Sequence, residues 1–172
     1  WVISAALAQI NHLYPDQRYV SRIDEWLSEG IFIDSDGHYP ERSMIYSFVE
    51  NKSFLTMGDL LNRPSLYEPV RKNLEMTYYY MEPGGDLVTT DSRRQDQYMS
   101  KNIVSWYLLY RYMFIRDNNG QFAAIARLIE SHKDFDEVIL DQSLFHFIDT
   151  PLLQQELPAN TLLPAEYEKF FT

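Results

Sequence analysis

The sequence predicts an all-α fold of antiparallel helix pairs, and three observations carry that expectation. Apolar residues recur at helical spacing along most of the chain. Short clusters of Pro, Gly, Asp and Asn separate those segments. The only long stretch with loop chemistry throughout is Glu82 to Asp96, EPGGDLVTTDSRRQD. No strict internal period is present, which disfavours a consensus repeat protein.

Taken in order, Trp1 to Leu13 places Val2, Ala6, Leu7, Ile10 and Leu13 at helical spacing, and Tyr14-Pro15-Asp16 ends that helix and starts the next. From Gln17 to Ser28 the set Tyr19, Val20, Ile23, Trp26 and Leu27 marks an amphipathic helix that Gly30 can cap. Asp34, Asp36 and Gly37 supply turn chemistry, and Pro40 suits the first turn of a third helix, where its missing N–H costs nothing. That helix is expected to fray around Asn51 to Phe54, with a second segment from Met57 to Leu61 before the Arg63-Pro64 break. Ser65 is the expected cap of a helix from about Leu66 to Met81. Val88, Thr89 and Thr90 suit a short extended piece, and an apolar helix follows from about Gln97 to Arg116. After the Asp117-Asn118-Asn119-Gly120 turn, helices are expected at 121–131, 136–148 and 164–171, with a less regular connection between Pro151 and Pro158.

Composition narrows the function classes. The chain has 172 residues, of which 45% are hydrophobic, so it can bury a real core and is not a disordered chain. It reads as a single helical domain. Starting at Trp1, inside a helix, it also reads as a piece of a longer protein. No apolar run approaches the roughly 20 residues that cross a bilayer. There are no cysteines, which excludes disulfides and thiolate metal sites. Fifteen basic against 25 acidic residues give a net charge of −10, which argues against nucleic acid as a partner. No His/Asp/Glu set has zinc spacing, and Asp34-Ser35-Asp36-Gly37 lacks the closing Glu of an EF-hand, so no metal and no cofactor is expected.

The densest chemistry lies in Ile33 to Phe48, IDSDGHYPERSMIYSF. If the helix starts at Pro40, then Arg42, Ser43 and Tyr46 share one face, because positions three and four apart are neighbours. A phenol one turn from a guanidinium is a candidate reactive group. Equally, Tyr46 is one of 13 tyrosines and fits a buried helix start. The run Asp36-Gly37, Glu41, Ser43, Tyr46 fits D-G-x-x-x-E-x-S-x-x-Y. It resembles the motif of heparinase II/III-like polysaccharide lyases and their alginate-lyase relatives.

That resemblance implies a helical array forming part of an incomplete (α/α) toroid, with Tyr46 as catalytic acid/base. It also implies an acidic, uronate-containing polysaccharide as partner, a periplasmic or secreted location, and a β-sandwich domain elsewhere in the full-length chain. The neutralising Asn and a further His of that family would come from segments outside this chain, so the piece alone is expected to be inactive. Asn11-His12 lies too close to Tyr46 to be that pair, and His12 reads as a helix-end residue. His132 and His146 read as helix-surface or partly buried.

A polyanionic substrate needs a local basic patch on so acidic a chain. Arg42 is the nearest cation to Tyr46 by helical spacing and joins it as a catalytic candidate. The Pro83-Gly84-Gly85-Asp86 and Asp91-Ser92-Arg93-Arg94-Gln95-Asp96 loop is similar to a Pro/Gly loop of the same family. Arg93, Arg94 and Gln95 are its substrate-binding candidates, with His38 and Glu41 from the motif itself. Two readings from other classes stay open: a non-catalytic helical glycan- or protein-binding scaffold, and a glycoside hydrolase with Glu41 and Asp91 as its carboxylates. The aromatics of Tyr78-Tyr79-Tyr80, Trp106, Tyr107, Tyr110 and Tyr112 are mostly core at helical spacing.

Overall fold

Asp16 sets the first boundary of the chain: its carboxylate accepts from the Arg18 amide at 2.9 Å, separating α1 (Val2–Leu13) from α2 (Gln17–Ser28). The computed structural model describes residues 1–166, the side chains of 141–144 and 149 excepted. The remaining helices are α3 (Met44–Leu60), α4 (Tyr67–Tyr79), α5 (Tyr107–Asp117), α6 (Gly120–Glu130) and α7 (Phe135–Asp149). Short 3-10 turns occur at Pro64–Leu66, Ile103–Trp106 and Pro151–Gln154. Among the described residues there is no strand; the extended piece expected near Val88 is reduced to two isolated bridges, Met81 to Leu87 and Asp86 to Asn102. The fold is all-α, helix packed on helix.

Backbone contacts divide the chain into two units, Trp1–Met76 with Thr89–Met99, and Thr77–Val88 with Ser100 onward. In the first, α1 packs on α2 and α3. Small buried residues on α1, Ser4, Ala5 and Ala8, permit that approach. Trp1 lies 5.2 Å from the Phe54 ring, and Ile23, Phe54, Met57, Val70 and Leu74 fill the core.

The expected fraying of α3 at Asn51 to Phe54 does not occur, because Asn51 is a buried polar hinge-pin rather than a helix breaker. Its Oδ1 accepts from the Tyr39 hydroxyl at 2.8 Å, and its Nδ2 donates to Asn73 Oδ1 at 2.8 Å. Asn73 Nδ2 in turn donates to the Gly37 carbonyl at 2.8 Å. This chain of bonds ties the turn before α3 to α3 and α4 with each polar group matched. Gly37 is required twice over: its φ is +101°, and a Cβ there would run into the Lys72 carbonyl oxygen. Within α3, Gly58 leaves room for the Tyr67 ring, whose hydroxyl donates to Asp59 at 2.7 Å.

In the second unit α5 packs on α6 across a two-residue turn. Asn118 takes the left-handed conformation, and Asn119 caps the amides of Gln121 and Phe122. The expected helix start at Gln97 is corrected: Asn102 caps the 3-10 turn at Ile103, and α5 begins only at Tyr107. The connection between Pro151 and Pro158 is irregular but anchored. Arg111, 7% exposed, donates to the Leu153 and Gln155 carbonyls and to the Tyr107 hydroxyl, and Arg127 donates to the Leu157 and Pro158 carbonyls. Residues 161–166 form no regular element, and the rest of the helix expected at 164–171 lies outside the described residues.

Asn51→Ala leaves the Tyr39 hydroxyl and the Asn73 carbonyl oxygen buried without their partner. It should cost about 2–4 kcal/mol, read as a lowered urea midpoint with intact secondary structure. An unchanged midpoint would show that the buried relay carries no stability.

Candidate active site

The third helix begins at Met44, four residues later than expected, and that displacement decides which arginine meets Tyr46. Arg42 takes φ +48°, outside the helical region, and Ser43 is extended, with its hydroxyl accepting from the Tyr46 amide at 3.2 Å. Pro40 and Glu41 therefore lie in the preceding turn. The shared helical face of Arg42 and Tyr46 does not form. Instead Arg42 spans two carboxylates, Asp34 at 3.5 Å and Asp91 at 3.6 Å.

Asp96 supplies the organising contact. Its side chain is fully buried; Oδ2 accepts from the Ser43 hydroxyl at 2.9 Å and the Ile45 amide at 3.3 Å. Oδ1 accepts from the Ser92 hydroxyl at 2.5 Å. Burial alone would raise this carboxyl, but the Ser92, Ile45 and Ser43 donors outweigh it and hold it below the usual carboxylate range. The loop 91–97 is thereby bound to the start of α3. A backbone bond from the Arg93 amide to the Glu41 carbonyl, 2.9 Å, adds a second tie.

Arg94 is carried onto Tyr46 by this arrangement. Its Nη2 donates to the phenol at 2.8 Å, and its guanidinium lies 4.5 Å from the ring centroid. The Arg94 bond, then one from Gln95, lowers the Tyr46 hydroxyl below the ordinary tyrosine value, against slight burial and the charge of Glu41. Glu41 holds Arg94 at 3.7 Å. Arg93 donates to the Pro40 carbonyl at 3.2 Å and forms no ion pair among the described residues.

Tyr46 is half-buried and lines a pocket of about 660 Å³ inside the first unit, together with Trp1 and Trp26. Glu29, Glu41 and Glu50 contribute carboxylates to the same pocket, and Gln95 an amide. Burial pushes the Glu50 carboxyl up to about 7, and the like charge of Glu41 acts in the same direction. No Lys or Arg is among the described residues that line the pocket, and the nearest basic contact to its wall is Arg94 on the Tyr46 hydroxyl, with Arg93 beside it on the loop.

Of the candidates, Tyr46, Glu41, Arg94 and Gln95 come together. His38 does not join them: it is 1% exposed, and burial holds its imidazole below the ordinary value and hence neutral. Asp34 caps the turn above it, accepting from the Asp36 and His38 amides at 3.0 and 2.8 Å.

The glycine loop belongs elsewhere. Pro83 to Asp86 lies in the second unit, and a Cβ on Gly85 would meet the His132 ring at 2.7 Å, so the close approach serves His132 rather than a ligand. His132 Nε2 also lies 2.9 Å from Asn102 Nδ2 and 3.1 Å from the Gly84 carbonyl. His146 is exposed. Sequence reading missed Asp96, Glu50 and the two tryptophans. Glu50 had a signal, one turn from Tyr46, whereas Trp1 and Trp26 share their helical spacing with core residues. Among the described residues no group of His, Asp and Glu could hold a metal ion, and no helix is long and apolar enough to cross a membrane. No protein-family model matches the chain, and no curated protein and no solved structure matches it.

Asp96→Ala should destabilise the protein by roughly 2–4 kcal/mol at pH 7, since it removes a charged acceptor from three donors. The folded-state carboxyl is depressed, so its contribution is present above the unfolded value near 3.8 and fades as pH falls through the lower folded value. Urea unfolding of both proteins from pH 7 into acid should show the gap closing; a gap that stays constant would contradict the assignment.

Proposed function

We propose that this chain is part of a carbohydrate-active polysaccharide lyase that cleaves an acidic, uronate-containing glycan by β-elimination, with Tyr46 as acid/base. The observation that carries the reading is the Tyr46 phenol held 2.8 Å from the Arg94 guanidinium beside a pocket with indole walls. Elimination needs a base for the proton α to the uronate carboxyl and an acid for the departing oxygen. A tyrosine titrates near ~10 unless a cation stabilises its phenolate, which is the part assigned to Arg94. Arg42, the cation expected from spacing, holds the turn through Asp34 and Asp91 instead. Arg93, whose guanidinium donates to the Pro40 carbonyl and forms no ion pair among the described residues, is the group left to meet a substrate carboxylate. The indoles of Trp1 and Trp26 suit the apolar face of a sugar ring.

The motif resemblance adds the remaining parts of the proposal: a scaffold belonging to an incomplete (α/α) toroid, a β-sandwich domain in the full-length chain, and a periplasmic or secreted location. A second reading, a non-catalytic helical module that binds a glycan or a protein, is favoured by the three carboxylates of the pocket wall, which repel a polyanion.

The test is the yield of unsaturated uronate product from soluble uronate polymers, using the full-length protein. Tyr46→Phe should lose about 10²-fold or more of the turnover. Undiminished turnover would remove Tyr46 from the mechanism and leave the binding module. Arg94→Met should lower turnover at pH 7 and move the pH-profile break belonging to Tyr46 upward, because the phenolate loses its cation.

A further inference from the structure

The pocket holds a second titratable group that the motif does not include. We propose that Glu50 is the acid that protonates the departing glycosidic oxygen, leaving Tyr46 to act as the base alone; this rests on the lyase reading above. Tyr46 and Glu50 stand one helical turn apart on α3 and both line the pocket, which puts them side by side on one wall. Their Cβ atoms are therefore roughly 5–6 Å apart, close enough for one sugar ring to meet both. Glu50 Oε2 is sealed from water and accepts no hydrogen bond among the described residues. A carboxylate with an undonated, dehydrated oxygen favours the protonated form.

The surroundings act in the same direction. Glu41 from the turn before α3 is a like charge, and Glu29 from the end of α2 lines the same pocket. Tyr39, whose own hydroxyl is raised by burial and then by Glu50, offers no positive charge. Tyr46, on the same helix, is shifted the other way by Arg94 and Gln95. These opposite shifts bring the two groups toward one another, which raises the share of molecules that carry a Tyr46 phenolate beside a protonated Glu50, the pairing a base and an acid need.

The step balances without any further reagent. The Tyr46 phenolate takes the proton from C5 of the uronate, and that C–H pair forms the C4–C5 double bond. The C4–O bond breaks, and the leaving oxygen takes its proton from the Glu50 carboxyl. Tyr46 ends protonated and Glu50 ionised, and exchange with solvent returns both to their starting forms.

The pH profile of turnover in the full-length protein reads this directly, on a natural uronate polymer and on a uronate carrying a nitrophenoxy group at C4, which departs without a proton. For the wild type on the polymer, log turnover should rise with pH and level off near 7, where loss of the Glu50 proton offsets the growing share of Tyr46 phenolate. Glu50→Gln should lose that break and about 10²-fold of the rate on the polymer, yet stay within a few-fold of wild type on the nitrophenoxy substrate. Glu50→Asp, which restores a carboxyl, should recover part of the polymer rate. Equal losses on both substrates, or a break near 7 that survives in Glu50→Gln, would overturn the acid assignment while a Tyr46→Phe loss leaves the lyase reading standing. If the wild type forms no unsaturated product from any uronate, the lyase reading fails and the Glu50 assignment falls with it.

Discussion

One buried carboxylate governs the working surface of the first unit. Asp96 accepts from Ser43, Ile45 and Ser92, and through them fixes where α3 begins and where the arginine loop lies. A charged acceptor with three donors is a stronger tie than neutral hydrogen bonds at a loop, and its burial excludes the water that would compete. Ser43 serves two contacts at once, accepting from the Tyr46 amide and donating to Asp96. Arg94 and Gln95 reach the phenol because the residues on either side of them, Ser92 and Asp96, are bound to each other.

The site gathers opposite electrostatic settings within a few residues. Arg94 favours the ionised phenol at position 46, while burial and then Glu41 favour the neutral acid at position 50. The overall charge of −10 does not translate into a uniformly acidic site, since Arg93 and Arg94 lie together on the loop. Arg42 shows the other use of a cation: set between Asp34 and Asp91, it stabilises a turn whose backbone at Arg42 itself is in an uncommon conformation.

Much of the helical framework was legible because its boundaries are local. Asp16 before α2 and the Asn118-Asn119 pair before α6 cap their own neighbours, so composition and spacing locate them. Tyr46 was legible as a candidate, but its partner was not. Pro40-Glu41 is good chemistry for a helix start, and what overrides it is tertiary: Asp96, distant in sequence, claims Ser43 and the Ile45 amide. Shifting the start to Met44 takes Arg42 off the helix and gives the phenol to Arg94. The missed start of α5 has a local cause that was readable, the Asn102 cap, while the continuity of α3 at Asn51 depends on Tyr39 and Asn73 and was not. Apolar spacing likewise cannot separate Trp26 on a pocket wall from Ile23 in the core of the same helix.

The claim on which the account turns is that Arg94, delivered by the Asp96-bound loop, stabilises the ionised form of Tyr46. Titrating the Tyr46 phenol by NMR, with ¹³C-labelled tyrosine and Tyr46→Phe to assign the signal, measures that directly. The account predicts a midpoint below the ordinary tyrosine value, returning upward in Arg94→Met and in Asp96→Ala. A Tyr46 signal that titrates at the ordinary value in the wild type, and does not move in either variant, would contradict it.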